Sequence, residues 1–428
     1  MSDLPGGAVR PPGGGGPPGP GSKRLAQALA VFGPGLVVML ADSDVGSVIT
    51  AGQSGVQWGY RLLALQLALV PILYMVQELT VRQGIFTGRG QGELICEVFG
   101  QFWGWVSATW LGVSTVGALL TEFSGVAGVG ELYGMPRFAT LPIAAVALLA
   151  MVITGSYRRV ERVAIILGLF ELAFFFVAWA AHPDPTAVLH GSLDIPYANK
   201  DFRYLVAANI GAVVMPWMIF YQQSAIADKR LQPEHYTAAR WDTAVGALLT
   251  QLVMAAVLIA CAATIGQQHP DASLATVGDM AQALTPFLGT KMGNLIFGAG
   301  VLGAGMVAAI VCSLAFAWGL GEVAGYRRSL EYRSFQARWF YGAYSACVIG
   351  GAILVAVWPN LVSLNVGVQV MNTLMLPLVL GFLIALSIKA LPPARRLRGW
   401  YLWSVVIVTV VTCLLGVFGG ISGMGLLG

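Results

Sequence analysis

Apolar runs separated by short polar stretches divide this chain into eleven hydrophobic segments. They lie near residues 25–56, 61–84, 102–132, 139–156, 160–181, 203–227, 242–265, 288–322, 335–358, 362–388 and 399–422. Each is close to the ~20 residues that a helix needs to cross a bilayer. The pattern predicts an all-α membrane protein with about eleven transmembrane helices. The third and eighth segments are longer, which predicts tilt or an extension beyond the bilayer.

Polar residues are scarce inside these segments, so those present carry information. The first segment contains Leu40-Ala41-Asp42-Ser43-Asp44-Val45-Gly46-Ser47-Val48. A carboxylate at mid-membrane depth costs roughly 2.5–3.5 kcal/mol on an insertion scale, and its presence points to function. Gly46 lowers helix propensity beside the two acids, and Gly33, Pro34 and Gly35 break the approach to them. The stretch predicts a discontinuous helix whose unwound middle offers carboxylate and carbonyl oxygens to a cation. The bland alternative is a kinked helix with its acids facing a wet cavity.

The sixth segment reads Ala207-Ala208-Asn209-Ile210-Gly211-Ala212-Val213-Val214-Met215-Pro216-Trp217. Pro216 lacks a backbone donor and opposes the carbonyl of Ala212 four residues back. Freed carbonyls at that depth are tolerable only where they line a cavity or bind something. Segments one and six each open a set of five. Interruptions at matching places in two halves predict an inverted-repeat transporter with its site at the midplane, helices one to five and six to ten forming the repeats.

Composition narrows the class. The chain is 57% hydrophobic and 10% charged, against roughly 25% charged in soluble domains. A soluble interaction protein is excluded, and no face suited to nucleic acid is present. The five cysteines are scattered and form neither a CxxC pair nor a disulfide framework; they read as small apolar fillers. His182, His190, His235 and His269 fall in predicted loops. Residues 1–24 are a Gly- and Pro-rich tail expected to be disordered, without the apolar stretch of a signal peptide. Residues 25–428 then form one transmembrane domain. With the N-terminus inside, the inner stretches hold 19 of the 24 Lys and Arg residues. That bias fits a multi-pass plasma (inner) membrane protein with a cytoplasmic N-terminus and an odd helix count.

The quoted stretches together resemble the NRAMP divalent-metal transporters over nearly the whole chain after residue 24. Gly33-Pro34-Gly35 through Asp44-Val45-Gly46-Ser47 to Trp58-Gly59-Tyr60 is similar to that family's first helix, whose signature is Asp-Pro-Gly-Asn. Gln77-Glu78-Leu79 and Gly84-Ile85-Phe86-Thr87-Gly88 resemble the end of its second helix. Met215-Pro216-Trp217, Ser224-Ala225 and Lys229-Arg230 resemble its sixth, whose signature is Met-Pro-His. Gln369 with Leu376-Pro377 matches its tenth. The resemblance implies a LeuT-like five-plus-five inverted repeat and a divalent metal such as manganese or iron as the substrate. It implies neither enzymatic activity nor a resident cofactor; the partners are the metal ion and the lipid bilayer. Asp44 would be the metal carboxylate, Ala212 would offer its carbonyl and Met215 its sulfur. Ser47 stands at a ligand position, and Gln369 would approach during conformational change.

Departures from the signature matter. Ser47 replaces the asparagine, Val45 the proline and Trp217 the histidine. Of the third helix's acidic pair, Glu122 matches the second member and Leu119 replaces the first. The ninth helix has Arg338 near its start and no further basic residue before Trp358. These changes resemble the magnesium-transporting branch of the family, which lacks proton coupling; Met215, a ligand that branch loses, argues for manganese. Asp42 is a second metal-site charge or, the preferred reading, a hydrogen-bonding group for the unwound turn. Glu122 is a proton-path remnant or a satisfied polar group, and Glu171 reads as a structural, protonated acid. Asn209 and Asn372 read as helix-packing groups, and Trp217 as core or cavity wall. A small-solute carrier of the same fold gains little from Asp42 and Asp44. An intramembrane enzyme lacks any supporting motif, and a channel does not require two matched breaks.

Overall fold

The computed structural model describes residues 33–153, 156–268, 274, 278, 281, 289–358 and 365–425. The tail assigned to residues 1–24, the start of the first segment and His269 lie outside them. Among the described residues the regular elements are all helical. The first span is split into α1 (Pro34–Asp42) and α2 (Val45–Trp58). There follow α3 (Leu63–Thr87), a short α4 (Gln91–Phe99), α5 (Gln101–Leu132) and α6 (Arg137–Ile153). The fifth span runs through α7 (Tyr157–Gly168), a 3-10 turn (Leu169–Leu172) and α8 (Ala173–Ala180). A short α9 (Pro185–Leu193) precedes the sixth span, which is split into α10 (Lys200–Val213) and α11 (Pro216–Asp228). The remaining spans are α12 (Tyr236–Ala263), α13 (Thr290–Ala324), α14 (Arg338–Val357), α15 (Asn365–Lys389) and α16 (Gly399–Gly423).

Nine described helices are long and apolar enough to cross a membrane, ten with the bent α1–α2 pair counted as one span; α6 is a shorter apolar helix. These correspond to the eleven predicted segments. The long third and eighth segments are the helices of 32 and 35 residues, α5 and α13. Two local expectations shift. Pro34 does not break the approach to the acids; it sits in the first turn of α1, where its missing N–H costs nothing. His190 lies on α9 and His235 at the end of a 3-10 turn (Pro233–His235), rather than in loops.

The interrupted spans occupy the centre. The most apolar stretch of the sixth span is 94% buried, against 33% for α16. The first span packs against α12, α13, α15 and α10, and the sixth against α3, α13, α15 and α16. Outer spans instead expose large apolar side chains such as Phe102, Val146, Trp400 and Leu414, as a lipid-facing surface does. Close packing at the centre uses small residues. A Cβ at Gly211 would stand 1.8 Å from the Gln369 carbonyl oxygen, so only glycine lets α10 lie this close to α15. Thr373 Oγ1 crosses the same contact to donate to the Ala207 carbonyl at 2.6 Å. Asp242 on α12 anchors the start of α1, its Oδ2 accepting from the N–H groups of Gly33 (3.2 Å) and Gly35 (2.8 Å). A carboxylate there meets the positive end of the helix dipole.

Candidate metal site

The first break is short. α1 ends at Asp42, α2 begins at Val45, and the two are bent by 46°. Only Ser43 and Asp44 leave the helix. Asp44 has extended backbone (φ −64°, ψ 170°) and acts as the N-cap of α2. Its Oδ1 accepts from the Ser47 N–H at 2.6 Å. An N-cap acid satisfies a backbone donor that would otherwise be orphaned, which explains why the chain can unwind here at all. The other oxygen, Oδ2, is buried and has no hydrogen-bond partner. Asp44 is therefore half used by the fold and half available.

The second break lies at Val214 and Met215, between α10 and α11. Pro216 is the first residue of α11, so the Ala212 carbonyl has no i+4 donor within its own helix. It accepts instead from the Ser47 hydroxyl at 2.9 Å. Ser47 thus links the breaks: its N–H caps Asp44 and its Oγ reaches Ala212. A carbonyl oxygen has two lone pairs, so this bond leaves one free. Met215 is fully buried at the N-cap position of α11. Trp217 is also fully buried, and its Nε1 has no partner.

In this structure Gln369 sits beside the first break. Its amide lies over Gly46, where a Cβ would stand 2.2 Å from Nε2. Asn372, one turn on, holds it there by donating to Oε1 at 3.1 Å, and Asn372 itself accepts from Ser114 Oγ at 2.9 Å. Asn372 therefore positions Gln369, a role that the packing assignment missed. Asn209 fits that assignment: it accepts from Gln66 at 2.6 Å and donates to Ser54 at 2.8 Å, tying α10 to α3 and α2.

Glu122 emerges as a second cap on α2. Its Oε2 accepts from the Val45 N–H at 3.2 Å, and its Oε1 from Thr121 Oγ1 at 2.9 Å. A proline at position 45 would have no N–H to give, so replacement of the signature proline is what makes this bond possible. Asp44 sits near enough to Glu122 for the two carboxyls to interact. Asp44 already has the extended backbone that precedes proline. We expect Val45→Pro to fit sterically and to lose about 1–3 kcal/mol of stability by stripping a donor from a buried acceptor. Thermal unfolding of the purified variant beside the parent measures this, and unchanged stability would show that the bond contributes nothing.

Asp42 does not hydrogen-bond the unwound turn as expected. Its Oδ2 faces across to α12, where Thr250 Oγ1 donates at 3.4 Å, and its Oδ1 is unpartnered. Glu171, read from the sequence as a protonated acid held by a structural hydrogen bond, is buried within reach of the Ser43 hydroxyl, but neither of its oxygens makes a well-formed bond. Four acids, Asp42, Asp44, Glu122 and Glu171, are thus buried at or beside the first break, while no Lys, Arg or His is buried among the described residues. Grouping ionised carboxylates without counter-charge is costly in a low-dielectric interior. The arrangement suits a cation. Among the described residues no cluster of three or more His, Cys, Asp or Glu side chains is placed to hold a metal. The groups that the two breaks bring together are of mixed chemistry: carboxylate, carbonyl, hydroxyl and thioether.

Comparison with known proteins gives this geometry a context. The chain is similar to a divalent metal cation transporter MntH of Bradyrhizobium diazoefficiens, 27% identical over 303 residues, covering 67% of this chain and 66% of that protein. It is similar to a second, from Agrobacterium fabrum, 26% identical over 308 residues, covering 69% and 67%. The matched stretch therefore spans about two thirds of the length of these relatives. The fold superposes on the crystal structure of the Eremococcus coleocola manganese transporter with a TM-score of 0.76 at 19% identity, covering 97% of this chain and 90% of that one. It is the fold of the LeuT-like inverted repeat. The profile of the natural resistance-associated macrophage protein-like family (Nramp) matches residues 35–422, and the chain belongs to that family.

Proposed function

We propose that this protein carries divalent metal ions of the manganese type across a membrane, with Asp44, Ala212 and Met215 as the principal ligands. The family is one of transporters rather than enzymes. The observation that carries the reading is the pairing of the two breaks. Ser47 bridges them, one Asp44 oxygen and one Ala212 lone pair remain unused, and the buried Met215 is the N-cap residue of the helix after the second break. Gln369 covers the site from α15, and Trp217 walls it. The metal is substrate, so its ligands must hold it well enough to replace water and weakly enough to let it go. A bridging hydroxyl and a covering amide suit that task, because each already has a protein partner to return to. The reading is tested by uptake of radiolabelled manganese against labelled amino acids in proteoliposomes. Saturable manganese uptake supports it; amino-acid uptake without metal uptake overturns it.

The bias of 19 of 24 basic residues to one side supports an inner-membrane location with the N-terminus cytoplasmic, and residues 25–428 acting as one transmembrane unit. Magnesium is the second reading. Ser47 is shorter than the asparagine it replaces, which leaves room for the waters that magnesium sheds reluctantly.

Proton coupling should be weak or absent. Trp217 occupies the position of a side chain able to change charge near neutral pH. Leu119 leaves the acid pair of α5 incomplete, and Glu122 is already engaged as a cap. Metal-loaded proteoliposomes carrying a pH-sensitive dye should show manganese flux without matching acidification. Stoichiometric proton entry driven by metal would overturn this and make Glu122 the leading proton carrier.

A further inference from the structure

The acids of the first break are of two kinds. Asp44 and Glu122 serve the start of α2. Asp42 and Glu171 serve neither helix and face another part of the core. The fifth span places Glu171 there. A Cβ at Gly168 would stand 2.7 Å from the Leu40 side chain, so the glycine lets this span close on α1 just before Asp42. There the span tightens from α-helix into the 3-10 turn Leu169–Leu172, a common sign of local strain or function within a helix. The turn carries the buried Glu171, whose carboxyl lies within hydrogen-bonding reach of the Ser43 hydroxyl and close enough to Asp42 and Asp44 to feel their charges. Ser43 Oγ lies 2.7 Å from Thr250 Oγ1, and Thr250 donates to Asp42 Oδ2 at 3.4 Å. With Thr250 donating its proton to Asp42, Ser43 donates to Thr250 and has no second proton for Glu171. Both oxygens of Glu171 and Oδ1 of Asp42 remain buried without a donor.

We propose that Asp42, Ser43, Thr250 and Glu171 form a second cation subsite, built only of oxygen and distinct from the site that contains Met215. The inference rests on the reading of this chain as a divalent-cation carrier. Its ligand is a hard divalent ion. Two carboxylates and two hydroxyls match the ligand preference of magnesium, calcium and manganese. A dication also neutralises two carboxylates where no base is buried beside them. The thioether of Met215 contributes to the first site alone, so the two sites differ in softness. A hard subsite next to a softer one gives the ion two places to rest along one path.

The subsite is tested by titrating purified protein with manganese while the electron paramagnetic resonance signal of the free ion is followed. The parent should bind two ions per chain, one of them displaced by millimolar magnesium. Glu171→Gln and Asp42→Asn should each keep one ion that magnesium does not displace. Asp44→Asn should keep the other, displaceable ion. Should Glu171→Gln lose both ions through misfolding, Thr250→Val decides: loss of the displaceable ion alone supports the subsite, and two retained ions overturn it. A parent that binds one ion, lost in Asp44→Asn and kept in Glu171→Gln, eliminates the second subsite and leaves the proposed function standing. A parent that binds no manganese overturns both.

Discussion

Asp44→Ala and Asp44→Asn abolish metal-dependent uptake. Asp44 does two jobs, and the two substitutions separate them. Asparagine keeps an oxygen able to accept from the Ser47 N–H, so the cap on α2 survives; alanine removes cap and charge together. The functional loss should be the same in both, because it is the charge that matters. A divalent ion that has left water needs compensation in a low-dielectric interior. Removing one member of such a buried charged pair costs about 3–5 kcal/mol, or roughly two to four powers of ten in affinity. The stability loss should differ, with alanine losing an additional ~1 kcal/mol for the missing cap. Uptake into proteoliposomes and thermal unfolding of both variants measure the two effects. Parent-like uptake and affinity in both would remove Asp44 from the site.

Met215→Ala erases discrimination between manganese and magnesium while some flux remains. Thioether sulfur favours softer ions and adds almost nothing to magnesium binding, whereas the carboxylate, carbonyl and hydroxyl oxygens of the same site serve both metals. Loss of the sulfur should lower manganese affinity about tenfold, the equivalent of ~1.4 kcal/mol, and leave magnesium untouched. Met215 is fully buried in the break, so part of the response to alanine is a packing defect; that part weakens both metals alike and does not alter their ratio. The measurement is manganese uptake in excess magnesium, for parent and variant. The parent should continue to take up manganese, and the variant should be outcompeted. If millimolar magnesium already stops manganese uptake by the parent, and Met215→Ala changes nothing, magnesium is the substrate.

The four buried acids also explain why the centre of this protein is held by hydrogen bonds across spans rather than by ion pairs. Among the described residues, ion pairs such as Arg61–Asp194, Arg137–Glu131 and Lys229–Glu161 lie outside the central site. Inside, Ser47, Thr250 and Thr373 each connect an interrupted span to a neighbour or to the other break, and Asn372 connects α15 to Ser114 of α5. Such bonds contribute about 0.5–1.5 kcal/mol each net of their alternatives. Exchanging one for another therefore costs little, which suits a centre that must rearrange as the cargo moves.

The sequence by itself determined the class of this protein, the number and order of its spans and the places where two of them fail. Those properties are local. An apolar run of fixed length has to be a helix in a membrane, Pro216 cannot supply the bond that Ala212 needs, and acids at mid-depth demand a reason. Asp44 and Ala212 were legible as candidates for that same reason: the disruption is written in the residues that cause it. Only the tertiary structure decided how the breaks meet. Ser47 as the bridge between them, Glu122 as a cap on α2 rather than a lone polar group, Ser114 of α5 as the partner of Asn372, and Glu171 placed beside Ser43 all depend on which helix faces which. These partners lie tens to hundreds of residues apart. Their pairing follows from glycines such as Gly168 and Gly211, which allow two backbones to approach. Glu171 shows the limit most clearly. In sequence it is one acid in an apolar segment and reads as structural, because nothing along the chain reveals that a 3-10 turn will carry it to the side of Asp42.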